Sequence, residues 1–541
     1  MRPLVRSRLV VVIAVLVLIC TVVQVGLVAG KTRLVYFQDW FVCRERFKRD
    51  VDLDLFEPLD LGYYYAIRNW IDKHPDVEMK FVDFDPWTQQ TVLTALATGT
   101  CPSYYVGNVI GGWLLPNMRK AFYDGYAADI TALFKKYGCD KHIPQNLMGE
   151  YKKTCQVGGK WYGIVSGGGY NGLVYRKDLF KAAGLTNPAV PGVGGYRYNW
   201  SIKEFREILR KLTKDANGDG KPEVYGYAIG SPNVYSIFTM VGMQNLSDLL
   251  VPEPSKPWKW RLRLDNPLFL QGAQMLHDMI YKDKSILINT NGEEEFNGGR
   301  AAMFGGNQGF GTDMSKYKAL FESLKVRGSG TNIIGWMPFA VGPTGMVHTF
   351  PFIMIHSFNP RLSKEELEVA FDFCEYMLHG EGWMDTRLTI WEQTESAYKT
   401  WDTIIPYNGY EKIEGVPTAR FDAYDKEVAG GVKYVMGIKT PPDISEFFPP
   451  DNDGPGQQAI DDFISKVWNI EKLDVKAAAL EGNKLYESQA AGFSSKFSRA
   501  EFIKYCRAYY TALLNFYQKY YPAQYKAYLP WYQKVIAPKL K

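Results

Sequence analysis

The chain has 541 residues, of which 46% are hydrophobic and 22% charged, so one compact core and wholesale disorder are both excluded. Its 63 lysines and arginines stand against 58 acids, a net charge of +5; with no basic stripe, this excludes a nucleic-acid binder. Aromatic residues reach 15%, which suits either a large aromatic core or a cleft that holds flat, weakly polar rings.

Residues 1–30 read as an export address. Arg2, Arg6 and Arg8 precede an uncharged run over 9–29, and Val28, Ala29 and Gly30 offer small residues for cleavage. The run matches the ~20 residues of a membrane span, so an uncleaved anchor is the other reading. Cys20 invites lipidation, but Leu18 and Ile19 lack the small residue expected before a lipidated cysteine. All three readings place the protein outside the cytoplasm, in the periplasm or at the cell surface. Six cysteines follow the leader. Cys139 and Cys155 are the pair best placed for a disulfide, and buried free thiols are the alternative.

Residues 33–37 read as a first strand, feeding Asp39 and Trp40. A helix over 61–74 should stop before Pro75, because proline disfavours helix in the residue before it. A second strand at 78–83 leads to Trp87 and a helix over 88–97 closed by Gly99. Strand, helix, strand, helix marks an α/β domain with a mainly parallel sheet. Ligands of such sheets sit beyond the carboxyl ends of the strands, which puts Trp40, Trp87, Asn108 and Trp113 at the rim.

A strand entered at Trp161 should be broken by Gly167, Gly168 and Gly169 and resume at 173–175. Asp178, Leu179 and Phe180 open a short helix that Gly184 can cap. Ser201 and Glu204 form the start signal of a helix over 202–212. A strand at 225–229, helices over 234–249 and 266–282, a strand at 333–338 and a helix over 364–378 follow. After Gly380 the chain should cross between its two halves, with Trp383 and Trp391 near that crossing. Helices with a break cover 457–490. Tyr505, Tyr509, Leu513, Phe516 and Tyr520 then repeat at helical spacing as an aromatic stripe that packs onto the rest.

The order of parts resembles the extracellular solute-binding proteins of ABC importers. The matching residues are Lys160-Trp161-Tyr162-Gly163, the run Tyr175-Arg176-Lys177-Asp178-Leu179-Phe180, Gly184-Leu185, and Trp200 before a helix ending Lys211-Leu212-Thr213. Residues 95–102 and 296–303 match as well, although Ser103 stands where the family carries an acid. The resemblance spans about residues 31–495. It implies a two-lobed α/β fold of the periplasmic-binding-protein kind, with hinge crossings near 165, 340 and 395 and a helical C-terminal extension. Lobe one would hold 31–165 and 340–395, lobe two 166–339 and 396–495, and the extension 496–541. It also implies a monomer that captures a carbohydrate in the cleft and delivers it to a membrane permease. The cleft would offer Trp40, Trp87, Trp113, Tyr170, Phe310, Trp336, Phe350, Phe352 and Trp383 for ring stacking. Asp39, Asn108, Asn171 and Asn307 would take the sugar hydroxyls.

Enzyme signatures are weak. None of the six histidines forms an H-E-x-x-H pair, and no G-x-S-x-G elbow or Walker loop occurs. Glu293, Glu294 and Glu295 supply carboxylates of the kind a glycoside hydrolase pairs across a bond, the enzyme-class rival to binding. A non-sugar solute such as a peptide or polyamine is the other alternative. Asp215, Asn217 and Asp219 lie at positions one, three and five of a loop with Gly220 at six, and Lys221 and Glu223 at seven and nine. That pattern fits structural calcium, whose 6–8 ligands are oxygens. Position twelve is Gly226 and not the glutamate of an EF-hand, so Asn-Gly and Asp-Gly turns are the competing reading.

Overall fold

The structure is a computed structural model that describes residues 32–36, 52–53, 58–111, 115–143, 148–185, 198–244, 249–253, 259–307, 333–348, 351–394, 431, 434–435, 437–442, 447, 457–490 and 498–541. β1 (Thr32–Tyr36) pairs in parallel with β2 (Val77–Phe81), and the helix Pro58–Lys73 connects them. The helix Gln89–Thr98 ends at Gly99, whose φ of 79° is the left-handed cap expected there. β3 (Tyr104–Val106) runs into a 3-10 turn, Gly107–Gly111. Ser103, just before β3, ties that strand to β1. Its hydroxyl accepts the Val35 N–H at 2.9 Å, and its own N–H donates to the Val35 carbonyl at 2.7 Å.

A short hairpin, β4 (Gln156–Val157) and β5 (Lys160–Trp161), leads into β6 (Ile164–Arg176), a single strand of 13 residues. The glycines at 167–169 therefore do not break it. Isolated glycines weaken a strand through entropy, but here each backbone has a partner in the ladder. The chain continues through β7 (Tyr227–Ala228), a hairpin of β8 (Leu250–Glu253) and β9 (Lys259–Leu262), β10 (Ile286–Leu287), β11 (Met303–Asn307), β12 (Ile334–Met337) and β13 (Pro351–Phe358). The main sheet runs β10-β7-β11-β6-β13-β3, with β12 also on β6. It is mixed, not mainly parallel: β7, β10 and β11 run together, while β11, β12 and β13 all oppose β6.

Helix starts follow the sequence closely. Ser201 caps Ile202–Leu212 and exchanges bonds with Glu204 in a full capping box, and Ser363 with Glu366 does the same for Lys364–Leu378. The expected helix over 234–249 stops at Val241, because Gly242 adopts a φ of 72° and closes it.

Two buried clusters form. The first gathers Leu34, Trp70, Tyr104, Ile164, Ile355, Phe371 and Phe373; the second gathers Trp200, Phe205, Phe238, Phe269, Phe463 and Trp468. The first does not stop at residue 165. It continues along one face of the sheet through Val174, Phe304, Ile334 and Trp336, while Leu173, Tyr175 and Met337 on the other face join the second.

The crossing expected after Gly380 does not fall within 381–394: the helix Glu381–Thr394 lies along Pro58–Lys73, so tightly that a Cβ on Gly62 would sit 2.8 Å from the Thr386 carbonyl oxygen, and the crossing placed near 395 lies outside the described residues. Trp383 thus lies half-buried on that helix and not at a crossing. The helical residues 498–541 pack onto the rest as expected, since Phe502, Cys506, Tyr510, Leu513 and Ile536 lie in the second cluster. Cys139 and Cys155 are not bridged; with Cys101, Cys374 and Cys506 they are free and buried.

Candidate functional site

The partners of β6 change between Tyr170 and Asn171. Up to Tyr170 it pairs with β13; from Asn171 it pairs with β11, and from Leu173 also with β12. Strand direction then fixes which loops meet at this edge. β3 and β6 both oppose β13, so the carboxyl end of β3 points toward the change. On the other side β11 opposes β6 and brings its last residue, Asn307, opposite Asn171. β7, β10 and β12 share the direction of β11, so their carboxyl ends face the same edge. Carboxyl ends from both sides converging on one edge are where an open α/β sheet binds its ligand.

Trp87 follows the carboxyl end of β2 and is 41% exposed. Its loop is held by Asp85, which accepts the Trp87 N–H at 2.9 Å. The Thr88 side chain and that N–H keep the Asp85 carboxyl below its ordinary pKa. Asn171 is half-buried at the partner change. The backbones of Tyr170 and Asn307 are placed there too, and their side chains, with that of Phe352, lie outside the described residues. Asp39, Trp40, Trp113, Phe310 and Phe350 also lie outside them.

Two assignments are corrected. Asn108 donates from Nδ2 to the Ile353 carbonyl at 2.8 Å, and its Oδ1 accepts the Ile355 N–H at 2.9 Å. These bonds bracket the register shift between Met354 and Ile355, so Asn108 latches a β-bulge and does not offer its amide to a ligand. Trp336 is 0% exposed, donates Nε1–H to the Gly306 carbonyl at 3.2 Å and packs on Gly172. Its ring is part of the core.

Residues beyond β7 and β10 were not singled out from the sequence. Asn233 caps the helix Val234–Val241 by accepting the Ser236 N–H, and Tyr235 stands beside His348 with ring centroids 5.9 Å apart. Asn289, with a φ of 58°, follows β10. A two-residue strand shows no alternation to read, but the carboxyl-end rule points to these loops once β7 is placed. A small void between Phe134, Cys139, Cys155, Trp161 and His379 lies by Ile164, at the other end of β6 from the partner change.

The acid-rich stretches have structural partners. Glu293 and Glu294 lie in the first turn of the helix Gly292–Asn297, where Asn291 caps their N–H groups. Glu295 is gripped by Arg300, which with Thr290 holds its carboxyl below the usual range. In the 215–223 loop, Asp215 accepts the N–H groups of Gly218 and Gly220 at 2.8 and 2.9 Å. Asn217 accepts from Asp219, Asp219 from Lys221, and Glu223 from Ala216. Among the described residues no group of three or more His, Cys, Asp or Glu side chains is placed to hold a metal ion.

The sequence profile described as bacterial extracellular solute-binding protein matches residues 61–379. The fold is shared with solved structures of low identity. A Listeria monocytogenes ABC substrate-binding protein in complex with cycloalternan is 16% identical, with a TM-score of 0.55 over 85% of this chain and 100% of that one. A maltose/maltodextrin-binding domain from Bdellovibrio bacteriovorus bound to maltotriose is 14% identical, with a TM-score of 0.55 over 85% and 100%. UgpB from Mycobacterium tuberculosis in complex with glycerophosphocholine is 14% identical, with a TM-score of 0.57 over 86% and 99%. A search of curated proteins finds no match. These likenesses establish a two-lobed fold.

Proposed function

Because the chain belongs to the bacterial extracellular solute-binding proteins, which match more than half of its length, we propose that it captures an oligosaccharide between its lobes for the permease of an ABC importer. The observation that carries this reading is the convergence of carboxyl-end loops from both sides on the Tyr170/Asn171 change; the exposed ring of Trp87 follows the carboxyl end of β2. Sugar rings present apolar C–H faces, which Trp87 would cover, joined by Trp40, Trp113, Phe310, Phe350 and Phe352. Asn171 and Asn307, with Asp39, would pair the hydroxyls, since each buried one left unpaired costs roughly 1–3 kcal/mol. No bond is made or broken. The solute favours the closed form only by the contacts it gains there.

A non-sugar solute is the second reading, favoured by the glycerophosphocholine complex of a protein with the same fold. A thermal-shift screen of mono- and oligosaccharides, peptides, polyamines and phosphodiesters separates the two. An oligosaccharide at a hundred times its Kd should stabilise the protein by about 2.7 kcal/mol and be recovered intact by mass spectrometry. A shift with non-sugar solutes alone overturns the sugar, and turnover of a chromogenic glycoside overturns binding without chemistry.

Calcium in the 215–223 loop is a separate proposal, supported by the positive φ of Gly218 and Gly220 that bends this chain around its acids. Calcium at about millimolar concentration, typical of extracellular sites, should raise the melting temperature, and a chelator should reverse it. An unchanged melting temperature assigns the loop to its own hydrogen bonds.

A further inference from the structure

The near-neutral average of the whole chain conceals an uneven distribution. Residues 499–541 hold eight lysines and arginines against one acid, Glu501, a charge of +7. Taking this and the leader's +3 from the whole chain's +5 leaves −5 for the residues between. From residue 519 to the end every cation is a lysine and no acid occurs.

The inner side of this tail is occupied by the second cluster, through Phe502, Tyr510, Leu513 and Ile536. The outer side is different. The helix Pro522–Trp531 has no fully buried residue, and Lys519, Lys526, Lys534 and Lys541 are exposed. Tyr520 is 41% exposed, with the Lys519 ammonium 4.9 Å from its ring centroid. Tyr528 and Trp531 are half-buried, with ring centroids 5.0 Å apart.

Lysine beside tyrosine and tryptophan is the composition of a membrane–water interface, where the rings sit at headgroup level and the amines meet anionic lipid. Protein–protein interfaces instead favour arginine and exclude lysine. We propose that the tail docks the protein on an anionic lipid surface, with Lys519, Lys526, Lys534 and Lys541 as the cations and Tyr520 as the exposed ring. The inference holds whatever the solute is.

The test is co-sedimentation of the full chain with phosphatidylglycerol/phosphatidylcholine vesicles and with phosphatidylcholine vesicles. The apolar leader and its arginines also bind lipid, so the reading is the anionic-to-neutral retention ratio in the parent against Lys519→Glu/Lys526→Glu/Lys534→Glu/Lys541→Glu. The ratio should fall roughly tenfold or more in the variant, and in the parent it should shrink as salt rises past about 0.5 M. If the charge-reversed variant melts lower, the Lys→Gln version at the same four positions gives the reading. An unchanged ratio overturns the proposal. So does a variant that binds vesicles normally but fails on permease-containing membranes, which would assign the patch to a protein partner.

Discussion

The two lobes solve the same packing problem with different material. The first is a layered α/β core in which Gly62 lies against Thr386 and Ser103 ties to Val35. The second is built on aromatic rings carried by helices, and the last of these come from far along the chain. Phe269 meets Phe463 at 5.6 Å between ring centroids, and Tyr510 donates to the Pro252 carbonyl at 3.2 Å. A lobe that recruits residues 457–541 owes its stability to segments added after the sheet is complete. The first cluster, by contrast, takes only Val435 and Tyr434 from the described residues beyond 394. The contrast predicts that the lobes fail separately.

The largest effect should come where they are joined. A Cβ on Gly172 would lie 2.5 Å from the Met337 carbonyl oxygen and 2.6 Å from the Trp336 ring. Gly172→Val should therefore cost about 3 kcal/mol or more, measured by urea unfolding, and should loosen both lobes together. Tyr510→Ala comes next, at about 3–5 kcal/mol for a buried aromatic truncated in a core. Hydrogen exchange should rise across 267–281 and 457–469 while 104–106 and 351–358 stay protected; loss in both lobes at once would break the contrast.

Acid should then sharpen it. Burial lowers the pKa of His348, in the second lobe, to about 4, and that of His356, in the first, to about 3. Both are neutral when folded. As pH falls below 6.5, the ordinary value, the unfolded chain takes up protons that the folded chain refuses, so stability declines. At about pH 5 the loss is about 2 kcal/mol for each, and His356→Gln should flatten the slope down to about pH 3 where His348→Gln flattens it only to about pH 4. The smallest change in stability belongs to Trp87→Ala, within about 0.5 kcal/mol for an exposed site. Its sugar affinity, read by calorimetry, should nevertheless drop about tenfold, the scale of one lost ring contact.

Local chemistry was legible in the sequence and long-range pairing was not. The Ser201–Glu204 box, the Gly99 cap and the helix Lys364–Leu378 are written within a few neighbouring residues, and each formed as read. Asn108 looked like a free amide because the bulge it latches lies some 245 residues away. Trp336 looked like a stacking ring because alternation along a strand does not reveal that both faces of β12 are covered. The glycines at 167–169 looked like a break because the strand that holds them comes from 351–358. The edge where carboxyl-end loops meet follows from strand order.

The unbroken course of β6 also bears on how a captured solute could be felt at a distance. Two bodies tied by a loop swing freely. Two bodies sewn along one ribbon can turn only by wringing it, and apart from Ser166 at the register shift every residue of that ribbon has a ladder partner on at least one flank. Any gripping movement here is thus a torsion with a restoring force, and its reach is set by how far four strands tolerate a change of pitch.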